Sequence, residues 1–482
     1  MDGTRNTGAS AGRAAGGWRW FGRRTASAVV ALALTLSLPG CDFERPAPDS
    51  QQVGCDVADE RVSLTVDSHL DPSCVYTGGF DISTSDVTLD CRGALIRGDS
   101  SPGSRGIEIE APEGSDLSNV TVRGCRVEGF LNSIRITREG FRDLEPGEEY
   151  LNETRDIVIE NSWLEDSRGV GLFVDGYVSD VTIRGNVITR AGSAGIYLET
   201  GSRRNLVERN LLLDNGYREN GPDGQATSLG GVDFWFWGIG REGIAVDGSY
   251  ENTIRFNSFS GNSAGGIFLY KNCGEYPDRP VYFERRTPSD DNLIAGNVFS
   301  GGVNGVWVGS RMGENTLPME CTDPAYIDTP IERVVLDYAA NNVVRGNVFH
   351  DVTHAIRVED DGTEVSGNFF LADSPDHHAV LVGTPHRTAV LGRPVRGTIV
   401  RGNFAAIAGN ASPYRWAHGH EDTEFDWNWA EAGPAEFCEG EPIPRVPFIF
   451  AIAVTLAPPG GEPPEKPAEL MVPTLPALPP CP

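Results

Sequence analysis

From Asp86 to Asn410 hydrophobic and polar residues alternate in short runs, and almost no stretch shows helical spacing. One phrase keeps returning: apolar-x-Gly-Asn-apolar-apolar, a Gly-rich turn, then apolar-x-apolar-x. Ile183-Arg184-Gly185-Asn186-Val187-Ile188, followed by Gly195-Ile196-Tyr197-Leu198-Glu199, is a clear copy. The Asn recurs at Asn210, Asn257, Asn297, Asn347, Asn368 and Asn403, with shortest intervals of 21 and 24 residues. Longer intervals of 47, 40, 50 and 35 residues carry insertions, and the 47-residue one has room for an extra coil. A unit of this kind cannot bury its apolar face alone, but stacked copies share one core, so the repeat predicts an all-β solenoid.

Aligning the second strand of each unit gives NSIRIT from Asn132, VGLFVD from Val170, AGIYLE from Ala194, EGIAVD from Glu242, GGIFLY from Gly265, NGVWVG from Asn304 and HAIRVE from His354. Alternation sends the residues flanking x into the core and turns x and the final residue outward. One outward column therefore reads Arg135, Phe173, Tyr197, Ala245, Phe268, Trp307, Arg357, and the next Thr137, Asp175, Glu199, Asp247, Tyr270, Gly309, Glu359. Exposed aromatic rings need a reason. Sugar rings stack on such faces, and Arg at both ends suits carboxylates or sulfates. Arg135, Phe173, Tyr197, Phe268, Trp307 and Arg357 are thus the expected substrate-binding residues, in a groove. The competing reading is an outer mini-core covered by the insertions 138–154, 217–241, 272–291 and 310–340. Long loops in a compact repeat favour the groove.

The repeat resembles the right-handed parallel β-helix superfamily of pectate-lyase-like proteins, which includes chondroitinase-B-like lyases and mannuronan C5-epimerases. That resemblance implies a single-stranded right-handed parallel β-helix with inserted loops, in which the Asn column stacks along the axis and has no catalytic role. The organisation expected is a signal peptide over 1–40, a tether over 41–54, the helix with its N-terminal cap over 55–410, a C-terminal cap over 411–456 and a Pro-rich tail over 457–482.

Arg19, Arg23 and Arg24 precede the short apolar run Thr25 to Leu38, which ends in Leu38-Pro39-Gly40-Cys41. This resembles the lipobox of bacterial lipoproteins and implies a lipidated Cys41, with the protein exported and anchored to the cell envelope through its acyl chains. Cleavage there would remove five Arg and one Asp, taking the formal charge from −28 to −32. Such an acidic chain argues against nucleic acid as a partner. Eight other cysteines in an oxidising compartment allow four disulfides, with Cys273–Cys321 and Cys438–Cys481 as attractive pairs. A monomer is expected.

Lys is nearly absent, occurring only at Lys271 and at Lys466 in the tail. Keeping Lys at one point of the helix suggests that Arg will not serve there, and a desolvated Lys suits a general base. Lys271 follows Tyr270 at the mouth of an insertion, and Arg311 takes nearly the same place one coil on. A Lys and an Arg on neighbouring coils resembles the base and acid of chondroitinase-B-like and alginate lyases. The resemblance implies attack on an acidic, uronic-acid polysaccharide, with Lys271, Arg311 and Tyr270 catalytic and the outcome either elimination or C5 epimerisation. Calcium commonly neutralises the carboxylate in such enzymes, and Asp175, Glu199, Asp247 and Glu275 are the candidate ligands. The bland account of Lys271 is a surface salt bridge to Glu275 or Asp247. Two motifs of relatives are missing: Pro375-Asp376-His377-His378 only echoes the epimerase Asp-Pro-His-Asp, and His418-Gly419-His420 reverses the polygalacturonase Gly-His-Gly. Non-catalytic glycan binding and glycoside hydrolysis by paired carboxylates remain the alternatives.

Overall fold

A computed structural model describes residues 50–229, 232–272, 274–275, 283–309, 313–314, 319–320, 334–335, 338–384, 387–388, 392–416, 418, 421–439 and 453–456. Its strands form three sheets of 13 strands each, one strand per sheet from every full turn of chain. A representative coil places Thr182–Arg184 in sheet one, Val187–Thr189 in sheet two and Ile196–Leu198 in sheet three. Pairing within the three sheets is parallel, except where Gly433–Pro434 folds back on Trp429–Ala430.

The corner between sheets one and two follows from the Gly-Asn pair. Gly185 takes φ 65°, which a residue without Cβ adopts freely, and Asn186 then turns its amide inside. From Asn186 the side-chain amides link Asn210, Asn257, Asn297, Asn347, Asn368, Asn403 and Asn428, with Nδ2 to Oδ1 distances of 2.9–3.0 Å. The expected Asn column is therefore present and gains Asn428. A second amide ladder runs through Asn205, Asn252, Asn292 and Asn342. Between the corners, Phe259, Phe299, Phe349 and Phe370 stack inside sheet two with centroids 4.6–5.2 Å apart.

The 47-residue interval holds no additional coil, because Leu206–Glu208 pairs directly with Thr253–Arg255. Its extra residues instead form the antiparallel strands Gln225–Leu229 and Val232–Trp237, onto which Ala453–Leu456 pairs. Stacking also continues beyond residue 410. Tyr414–Trp416, Glu424–Asp426, Trp429–Ala430 and Cys438–Glu439 extend the sheets, so the last coils include residues assigned to the end cap. Cys55–Cys74 and Cys91–Cys125 are disulfides at the N-terminal end. Cys438 is disulfide-bonded, and its partner lies outside the described residues, as do Cys41, Cys273, Cys321 and Cys481. Among the described residues no helix is long and apolar enough to cross a membrane.

Candidate functional site

Sheet three has the register that alternation predicts. Arg135 pairs with Phe173, Phe173 with Tyr197, Tyr197 with Ala245, Ala245 with Phe268, Phe268 with Trp307 and Trp307 with Arg357. The row is not an open stripe, however. Phe268 and Trp307 are 0% and 1% exposed, and they join Val170, Ala194, Tyr197, Ile239, Ala245, Ala264 and Tyr270 in a second apolar cluster outside the main core. Phe173, half-buried, stacks on Tyr197 at 5.0 Å, while Phe268 meets Trp307 edge-on at 5.8 Å. Ile239 comes from the 217–241 insertion, so the mini-core reading describes the centre of this face and the groove does not. Burying these large rings outweighs leaving them in water for an absent ligand.

The next column is polar and equally dry. The Tyr270 hydroxyl accepts from Arg241 Nη2 at 2.8 Å and donates to Glu242 Oε1 at 2.8 Å. Arg241 also pairs with Glu242 at 3.1 Å and with Glu219. Tyr197 donates to Asp247 Oδ2 at 2.6 Å, and Asn272 donates from its backbone and its amide to the same carboxylate, at 2.6 and 2.9 Å. Arg285 pairs with Glu199 and lies 3.6 Å from Asp247. Lys271, Tyr270, Glu242 and Asp247 are all fully buried, so Lys271 is not a surface group. Burial drives the Tyr270 phenol well above its ordinary range; Arg241 opposes this and Glu242 adds to it. Tyr197 is likewise raised, by burial and then by Asp247. Burial lowers Arg285 to about 10, whereas at Arg241 the carboxylates of Glu219 and Glu242 overcome burial and raise it.

Three of the four candidate calcium ligands, Asp175, Glu199 and Asp247, do not fit calcium. The cation takes six to eight oxygens converging at one point, but Arg135 Nε holds Asp175 at 2.7 Å, Arg285 holds Glu199, and Tyr197 and Asn272 hold Asp247. The side chain of Glu275 and the whole of Arg311 lie outside the described residues. Both ends of the face differ from its centre. Beside Arg105 and Glu108, the second of which continues the row below Arg135, an open cavity of about 600 Å³ is lined by Arg61, Arg97, Gly98, Ser104 and Phe130.

Basic groups gather at the other end. His354 pairs with His378, and Arg357 continues through Leu381 to Arg415. Of these, only Arg357 falls in the outward column that alternation predicts. His378-Ala379-Val380-Leu381-Val382 repeats His354-Ala355-Ile356-Arg357-Val358, a signal hidden because the alignment stopped at HAIRVE. His378 is the first residue of its strand, His378–Val382.

Residues 91–222 and 149–317 match the family described as right handed beta helix region. The fold is a right-handed parallel β-helix. No curated protein matched the sequence. An alginate lyase from a Paenibacillus species is 12% identical, over 76% of this chain and 99% of its own, at a TM-score of 0.39. The A-module of an Azotobacter vinelandii mannuronan C-5 epimerase is 13% identical, over 81% and 93%, at 0.43. The Dettilon tailspike protein is 12% identical, over 75% and 62%, at 0.44.

Proposed function

We propose that this β-helix protein acts on an acidic, uronic-acid polysaccharide along the outer face of sheet three, by C5 proton abstraction leading to elimination or epimerisation. The observation that carries the reading is the desolvated set Tyr270, Arg241, Glu242 and Lys271. A solenoid needs apolar residues inside, yet here titratable groups are buried on its outside, and burial and charged partners perturb Tyr270 and Arg241, as at sites of acid–base chemistry. A uronate C5 proton is removed readily only once the adjacent carboxylate is neutralised, which a guanidinium such as Arg241 or Arg285 does. Lys271 is the proposed base. The Tyr270 phenol, raised by burial and so protonated at neutral pH, is a proton donor suited to the leaving glycosidic oxygen in elimination, or to the opposite face of C5 in epimerisation. A polymer reaching Tyr270 has to displace side chains packed beside it, Trp307 among them. Calcium has no part in this scheme. Export through a lipobox at Cys41 would set the protein at the cell envelope, facing extracellular polymer.

The buried centre also favours a second reading, a surface protein that binds glycan without transforming it. Incubation with alginate, pectate, heparinoids and chondroitin separates the two. Elimination gives an unsaturated product absorbing near ~235 nm, and epimerisation changes the C5 configuration without it; Lys271→Ala and Tyr270→Phe should abolish either. Glycan binding with no product from any polymer, or full activity in both variants, defeats the catalytic reading.

A further inference from the structure

Aromatic rings lie open to water on a different sheet. In sheet two the outward residues Phe369, Phe404 and Trp429 are in register on three successive coils, and they are 51%, 40% and 45% exposed. Phe369 and Phe404 have ring centroids 6.4 Å apart. Trp427, two residues before Trp429, is 81% exposed and has φ 55°. It stands directly before Asn428 of the amide ladder, the place that Gly185, Gly296, Gly346, Gly367 and Gly402 take in other coils with φ of 62–65°. A left-handed backbone is unfavourable for a residue with a Cβ, and a bulky one is a genuine outlier there. An indole in water also forgoes the burial that would stabilise it. The chain thus keeps a large ring at this corner against both backbone preference and solvation. Among the described residues Phe256 is the other ring at this corner, and there the guanidiniums of Arg209 and Arg255 lie over its face, 5.8 and 5.7 Å from its centre.

Exposed rings held at such a cost mark a contact surface. They follow the solenoid axis one per coil at the strand spacing of about 4.8 Å, close to the advance of one pyranose residue in an extended glycan. Each ring can therefore face the apolar C–H side of one sugar. Charge narrows the partner further. The sheet-one strands that lead into the row end in Arg345, Arg401 and Asp426, and Asp351 and Asp373 follow its sheet-two strands. Arg401 is ion-paired with Glu364 at 2.9 Å, so four acids stand against two bases around the rings. That border repels a uronate polymer and anionic lipid headgroups, and a second copy of the chain would set the same border against itself. Its carboxylates accept hydrogen bonds from the hydroxyls of an uncharged sugar. We infer that Phe369, Phe404, Trp427 and Trp429 form a binding row for an uncharged, extended polysaccharide, one pyranose per coil. The row lies on another sheet from Tyr270 and Lys271 and stands independently of the chemistry proposed for them.

The test is calorimetric binding by the full chain. Its probes are the neutral hexasaccharides of the cello, manno, xylo and laminari series, hexagalacturonate, and vesicles of phosphatidylcholine with phosphatidylglycerol. At least one neutral hexasaccharide should bind, and Trp427→Gly and Phe404→Ser should each weaken it at least tenfold. Trp429→Phe keeps a ring and should retain most of the affinity. Trp427→Gly restores the residue usual at this corner, so its urea midpoint should equal or exceed that of the unaltered protein, which separates a lost contact from a damaged fold. Turnover of any acidic polymer should be unchanged in that variant. Binding of none of the four neutral sugars overturns the inference, and so does undiminished binding in both Trp427→Gly and Phe404→Ser. A lower midpoint for Trp427→Gly would overturn the premise that the ring is kept at a cost. Hexagalacturonate or vesicle binding that disappears in the same variants would assign the row to a charged polymer or a membrane and overturn it, as would sedimentation of a dimer that Trp427→Gly dissociates.

Discussion

Replacing Asn297 with Ala tests how far the amide ladder, rather than apolar stacking, holds the coils in register. Asn297 Oδ1 accepts the backbone N–H of Asn257 at 2.9 Å and its amide at 3.0 Å, and its own amide donates to the Ile254 carbonyl at 2.9 Å and to Asn347 Oδ1 at 3.0 Å. Four bonds vanish with the side chain. Two of the deserted groups keep another bond: the Asn257 amide still reaches the Val207 carbonyl, and Asn347 Oδ1 still accepts the Asn297 backbone N–H. The Asn257 N–H and the Ile254 carbonyl lose these partners inside a site with no exposed surface. At about 1 kcal/mol for each of three lost bonds and about 1–3 for the donor stranded by the fourth, the cost is roughly 4–6 kcal/mol. Asn428, at the end of the ladder, makes three such bonds, two from Asn403 and one to the Val400 carbonyl. Asn428→Ala should cost less, since end coils open more readily. Urea unfolding followed by tryptophan fluorescence, with hydrogen exchange of the flanking coils, reads both. A loss below about 1 kcal/mol for Asn297→Ala, or equal losses for the two variants, would refute the account by showing that stacked Phe and Ile side chains set the register alone.

Two further outcomes follow from the same structure. His378 has its pKa lowered from 6.5 to about 4 by burial and then by Arg415. Between those values the unfolded chain binds a proton that the native chain does not, so this group's contribution to stability rises with pH from about 4 to 6.5 and then levels off, by at most roughly 3 kcal/mol. The stability difference between the protein and His378→Asn should trace that rise, and a difference independent of pH would exclude it. Asp360, raised to about 6 by burial against the pull of Arg387, works in the opposite sense between about 4 and 6, so the variant comparison is needed to isolate His378. Removing Cys91–Cys125 by double Ala substitution frees a loop with a sequence separation of 34. Loop closure assigns that bond roughly 3–4 kcal/mol, which should appear as a lowered thermal midpoint under non-reducing conditions and no change in the midpoint under reducing ones.

Fold and register were legible in the sequence because they rest on periodicity and a local turn rule. Gly185-Asn186 sets a corner, alternation decides which side of Tyr197 is dry, and every coil repeats the statement. The exposure of the second face was not legible. Phe268 points away from the main core as alternation requires, but whether water or Ile239 lies beyond it depends on how an insertion folds back, and nothing periodic governs an insertion. The acidic column shows the same divide. Asp175, Glu199 and Asp247 do stand in line, yet Arg285, which holds Glu199, arrives from a loop 86 residues later in the chain. The His354–His378 pair was within reach: it is a repeat of the coil phrase, with Gly367-Asn368 between its copies.

One face therefore carries three chemistries in sequence along a single axis. Its first coils hold ion pairs around an open cavity, its middle coils hold rings and a dry Tyr270–Arg241–Glu242 network, and its last coils hold the His354–His378 pair beside Arg357 and its partner Glu359. The coil spacing of about 4.8 Å is common to all three, so the solenoid cannot distinguish them; what differs is the chain inserted between coils. Middle coils carry the longest insertions, and several of their charged groups lie out of water. Taking an ionised group out of water is costly unless it is paired, and each described carboxylate at the centre is paired within this same face. Such pairing holds the charges in fixed positions, as an acid–base site needs, and it also lets a purely structural network persist. Lys271 bears on that choice most directly, because a chain this poor in lysine has put one of its two there, fully out of water, next to a phenol that is also held by an arginine and a glutamate.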